Sequence, residues 1–94
     1  MPVFSVTTII DGDTFEVSPQ WSWSNQTGSR VRPTGYDASE LYAYSGQAAK
    51  DKLSKLIFGK QVELRTAYKI DRSRIVCDVY FQNKNLADYF PEYQ

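Results

Sequence analysis

Histidine is missing from this chain of 94 residues, and cysteine occurs once, as Cys77. Those two scarcities exclude a disulfide framework, the usual zinc sites and any catalysis that depends on imidazole. A metal, if one is used, must be held by oxygen, which points to calcium, magnesium or manganese. No apolar run approaches the ~20 residues needed to cross a bilayer. The opening residues MPVFSVTTII have no basic start and no small-residue cleavage site, so no export segment is read and a cytoplasmic location is expected. Net charge is absent too: 11 Lys plus Arg balance 11 Asp plus Glu. That removes a long-range grip on nucleic acid while leaving a local one open.

What is present is an ordinary globular composition, 41% hydrophobic and 23% charged, in a length that suits one domain over 1–94. Charge is uneven along the chain. Residues 1–40 sum to −3 and residues 41–94 to +3. No repeat, low-complexity tract or linker interrupts the sequence.

Segment 3–10 (VFSVTTII) is rich in β-branched residues and predicts a strand. Asp11-Gly12-Asp13 is turn chemistry, and 14–18 (TFEVS) alternates as a second strand. The polar stretch 19–29 predicts a loop or a projecting hairpin tip. It carries Trp21 and Trp23, whose alternation puts both indoles on one face. They either stack on the bases of a single strand or pack across their own hairpin. Segment 30–36 predicts a third strand, with Arg30 and Arg32 on a common face and Pro33 needing an edge or a strand end. Residues 46–58 form the one convincing helix. Ser45 is placed to cap it, Ala49, Leu53, Leu56 and Ile57 make its apolar stripe, and Gly59 ends it. Strands follow at 61–68 and 74–81, and the tail predicts one short helical turn that Pro91 stops. The order β-β-β-α-β-β is that of a five-stranded OB-fold barrel, mainly β with one main helix.

Taken singly, the charged residues have plain explanations. Asp11 and Asp13 suit a turn, Arg30 and Arg32 a solvated strand face, Glu40 a helix flank, and Asp71 with Arg74 a surface pair. Together they form an ordered pattern: Asp11-Gly12-Asp13-Thr14, then Arg32-x-x-Gly35-x-Asp37-Ala38-x-Glu40, then Asp71-x-x-Arg74. This pattern resembles the staphylococcal nuclease (thermonuclease) homologues over about residues 5–88. The resemblance implies a calcium-dependent phosphodiesterase acting on single-stranded or frayed DNA or RNA. By the same resemblance Asp13, Asp37 and the carbonyl of Ala38 are calcium ligands, and Asp11 is an outer acid. Glu40 then activates water, while Arg32 and Arg74 clamp the phosphate. The residue types suit that chemistry. Carboxylates hold a hard cation, a further carboxylate can take a proton from water, and planar, permanently charged guanidiniums grip phosphate oxygens.

Here the family's Asp-x-Tyr-Gly-Arg run is shortened to Asp71-Arg72-Ser73-Arg74. Ser39 stands where the family usually has proline, and Pro33 where it prefers an aliphatic residue. The family's helices beyond the barrel have no counterpart in the 94 residues. Tyr89, Phe90 and Tyr93 then either close the barrel or form an apolar patch that recruits a second copy into a homo-oligomer. The alternative function is a catalytically weak or inactive OB-fold module that binds nucleic acid or a protein partner.

Overall fold

The computed structural model describes residues 3–38 and 44–94, with the backbone alone for 44–46. Five strands, β1 (Val3–Asp11), β2 (Thr14–Trp23), β3 (Gln26–Pro33), β4 (Gln61–Asp71) and β5 (Arg74–Phe81), close into a barrel. β1 lies between β2 and β4, all antiparallel. β2 carries β3, β4 carries β5, and a parallel β3–β5 pairing completes the ring. Helix α1 (Tyr44–Ile57) connects β3 to β4, so the expected order and fold class stand. A two-residue strand, β6 (Lys84–Asn85), is added at the edge of β5.

Alternation builds the barrel. Phe4, Val6, Phe15, Val17, Val31, Val62, Leu64, Ile75, Cys77, Val79 and Phe81 are buried, and most of their neighbours in sequence are more exposed, Thr14 and Val76 being buried as well. Ala49, Leu53 and Ile57 of α1, all fully buried, bring the apolar stripe of the helix onto this core. Gly59, at φ 76°, turns the chain out of the helix, and its N–H donates to the Val6 carbonyl at 3.1 Å. No helix among the described residues is long and apolar enough to cross a membrane.

Several boundaries differ from expectation. The polar stretch 19–29 is not a loop but the two arms of a hairpin, because β2 runs on to Trp23 and β3 begins at Gln26. Pro19 has no N–H for the ladder, and the β2–β3 register shifts between Glu16 and Trp21, which is why the second strand reads as shorter than it is. Ser24 and Asn25 turn the hairpin with φ of 53° and 63°, the left-handed pair that suits strand twist. Arg72–Ser73 and Gln82–Asn83 do the same for the next two hairpins. Pro33 ends β3 as its missing donor requires, so 34–36 lie beyond the strand. α1 starts at Tyr44, so Ser45 falls inside its first turn rather than at its cap.

In the tail, Pro91 does not stop a helical turn but opens a second one. The 3-10 turns span Leu86–Tyr89 and Pro91–Tyr93. Proline at a first helical position loses no hydrogen bond. The tail packs on its own barrel. Phe90 is fully buried and stacks on Tyr36 at 4.5 Å with the rings 4° from parallel. Tyr89 and Tyr93 are partly buried against the same core. Phe90 is therefore part of the core and no part of an exposed patch.

Candidate functional site

The polar end of the barrel is built around the β1–β2 turn. The Asp13 N–H donates to Asp11 Oδ1 at 3.0 Å, closing the turn with a side chain. Gly12 is required there by contact. A Cβ on it would come within 2.6 Å of the Ala49 Cβ and 2.8 Å of the Ala38 carbonyl oxygen. The turn is therefore pressed against both α1 and the segment that follows β3. Tyr36 fixes it from a third side, its hydroxyl donating to the Gly12 carbonyl at 2.9 Å. The Asp37 N–H donates to the Tyr93 carbonyl at 3.0 Å, which ties the tail to the same segment.

That packing buries Asp13 completely. Its Oδ2 accepts from the Ala38 N–H at 3.1 Å and stands 3.4 Å from Nη2 of Arg32. The same Nη2 is 3.6 Å from Asp37 Oδ1, so one guanidinium nitrogen bridges the two aspartates singled out as metal ligands. Burial pushes the Asp13 carboxyl up from its ordinary 3.8 to about 6, with the Asp11 carboxylate acting in the same direction. The Ala38 N–H and the Arg32 charge oppose them. Tyr36, buried beside this cluster, has its hydroxyl held above the usual phenol range by burial and then by Asp13 and Asp11.

Arg74 reaches the site from β5. Its Nη1 donates to Thr14 Oγ1 at 3.0 Å, and Nη2 lies 3.3 Å from Asp71 Oδ2. Thr14 in turn donates to Asp13 Oδ1 at 3.4 Å. A continuous chain of contacts thus runs from Arg74 through Thr14 and Asp13 to Arg32. Thr14 is the linking side chain to which the sequence reading gave no role. It stands in the Asp-Gly-Asp-Thr run, but its role depends on Arg74, 60 residues away, which local pattern cannot reveal.

Both arginines line one cleft of about 540 Å³, together with Lys69, Arg72, Asp11 and Asp71. Four cations and two carboxylates line this cleft, and Asp13 and Asp37, both paired with Arg32, bring its charge back toward balance. Arg32 and Arg74 are mostly buried, with side chains 24% and 15% exposed.

The remaining expected residues divide three ways. Glu40 lies outside the described residues. Trp23 is half-buried at the hairpin end. Trp21 is only 3% exposed, and its Nε1–H donates to the Arg30 carbonyl at 2.8 Å. An indole so buried offers no face on which a base could stack, so packing across its own hairpin is its observed role. No group of three or more His, Cys, Asp or Glu side chains among the described residues is placed to hold a metal ion. The carboxylates of Asp13 and Asp37 meet at one nitrogen of Arg32, and the Ala38 carbonyl lies against Gly12, next to Asp13 in the chain. They are oxygen donors throughout, and their chemistry fits a hard cation. No protein-family model and no curated protein matches the chain.

Proposed function

We propose that this chain is a calcium-dependent phosphodiesterase of the staphylococcal nuclease type, hydrolysing single-stranded or frayed nucleic acid. The observation that carries the reading is the convergence of Arg32 and Arg74 on one cleft, coupled through Asp13 and Thr14. Phosphodiester hydrolysis by water makes one P–O bond and breaks another while negative charge gathers on the phosphoryl oxygens. Two guanidiniums held by buried partners meet that charge without reorganising, and losing one such donor commonly costs ~3 kcal/mol of transition-state stabilisation. Asp71 and Thr14 orient Arg74, and Asp13 and Asp37 orient Arg32. Glu40 is assigned the water, as acceptor of its proton, an effect of typically ~10²–10⁴ in rate. Asp13, Asp37 and the Ala38 carbonyl would hold calcium, which when bound neutralises phosphate charge and lowers the pKa of a coordinated water.

The test is cleavage of unstructured DNA and RNA with calcium and with chelator, in the parent chain and in Glu40→Gln. Calcium-dependent cleavage that falls at least ~100-fold in the variant supports the reading. Undiminished cleavage by Glu40→Gln overturns its assigned role, and cleavage in chelator overturns the metal. A second reading, a non-catalytic module that binds nucleic acid or a protein partner, draws on the internal pairing of both arginines with aspartates. Salt-sensitive oligonucleotide binding without turnover would favour it.

A further inference from the structure

Beside the arginine cleft lies a second pocket, of about 270 Å³, between the β2–β3 hairpin and the β4–β5 turn. We propose that it receives an unpaired base of the strand whose phosphate lies in the Arg32–Arg74 cleft; this rests on the nuclease reading and extends it to base recognition. The two cavities share a wall. Ser73 lines the pocket, while its neighbours on either side, Arg72 and Arg74, line the cleft. Arg30, at the pocket, stands opposite Arg74 in the parallel β3–β5 register. From Arg32 to Arg30 is two residues of strand, about 6.6 Å at the usual rise, comparable with the reach from a nucleotide's phosphate to its base.

The lining has the chemistry of a base edge. Gln20 and Gln26 bring two amides to the pocket, each with donors and an acceptor, and Thr27 and Ser73 bring hydroxyls. None of these four side chains makes a side-chain hydrogen bond within the described residues, whereas Arg32 and Arg74 in the adjoining cleft are both engaged. Amide pairing with base edges is the usual means of reading a base without charge. The walls are set in advance. The Trp21 Nε1–H bond to the Arg30 carbonyl pins the hairpin to β3, and Gly28 admits the indole where any Cβ would come within 2.7 Å of its ring. A base held in a stacked duplex cannot enter such a pocket, so the geometry selects single-stranded or frayed substrate.

The experiment uses the full chain carrying Glu40→Gln, to suppress turnover, and Trp23→Phe. Trp21 is then the only tryptophan and lies at the pocket. Single-stranded oligonucleotide and an abasic strand of equal length are titrated with calcium present. The base-bearing strand is expected to quench Trp21 and to bind more tightly than the abasic strand. Gln20→Ala with Gln26→Ala should lose about tenfold in affinity for the base-bearing strand, a modest fraction of what good amide–base pairs supply. It should leave abasic binding and the thermal midpoint unchanged, since both glutamines are exposed. Equal affinity for the two strands, or no loss in the double variant, overturns the base pocket and leaves the phosphate cleft standing. Failure of both strands to bind overturns the base pocket and the phosphate cleft together.

Discussion

Phe90 and Asp13 are both fully buried, one stacked on Tyr36 and the other bonded to Ala38 two residues on, and burial favours the ring while it disfavours the charge. On the helix and tail side, Leu53, Ile57, Leu86 and Phe90 fill space with apolar atoms and lower the free energy by leaving water. On the cleft side a carboxylate sits at equal burial with one guanidinium, one amide N–H and one hydroxyl for support, and burial moves its titration up to about 6. Such perturbed groups gather where chemistry requires them. The two regions are also joined: Phe90 stacks on Tyr36, and Tyr36 holds the Gly12 carbonyl beside Asp13. The apolar side therefore supplies the rigidity with which the polar side is held.

The largest expected effect breaks the apolar side. Phe90→Ala should destabilise the fold by about 3–5 kcal/mol in denaturant titration, since ring and stack are lost together. A loss under about 1 kcal/mol would mean that the tail does not brace the site. Next comes Asp13→Asn. The folded chain holds the Asp13 proton more tightly than the unfolded chain does. The group's contribution is therefore most favourable below about pH 4, declines as pH rises through about 6, and is flat above that. The stability of Asp13→Asn relative to the parent should then improve by about 2.4 kcal/mol between pH 4 and pH 7, at ~1.4 kcal/mol per pKa unit. A pH-independent difference would show that burial does not raise this carboxyl. A smaller effect concerns Arg32, whose Nη2 lies between the two carboxylates assigned to calcium. Arg32→Ala should bind calcium about tenfold more tightly in calorimetry, because a competing cation has gone. Weaker binding would place the metal elsewhere. The smallest effect is a control on the core: burial pushes the Cys77 thiol up to about 12, so it should resist alkylation at pH 8 until the chain unfolds.

The barrel was legible because period-2 alternation and one amphipathic stripe are local signals, seen in Phe15 and Val17 or in Ala49, Leu53 and Ile57. The β2–β3 hairpin was half legible. Pro19 and a polar run hid the arms, while Ser24-Asn25 is a weaker turn signal than Asn-Gly. Trp21 was ambiguous since alternation assigns a face without saying whether anything covers it. For the site, the ordered motif pointed to Arg32, Asp13, Asp37 and Arg74, and the fold brings these four to one region. What no motif carries is the bridge through Thr14, the bracing by Tyr36 and Phe90, and the polar pocket beside Ser73. Each joins segments that meet only when the barrel closes.

The central claim is that the guanidinium inside the cleft acts on phosphate and that charge alone is insufficient. Arg65 supplies the comparison, an arginine on β4 stacked 3.6 Å over Tyr80 and paired with Glu63, away from the cleft. Single-turnover cleavage of a single-stranded oligonucleotide in calcium should fall by at least ~100-fold in Arg32→Ala. In Arg65→Ala it should stay within about twofold of the parent rate. Equal rates in the two variants would contradict the account.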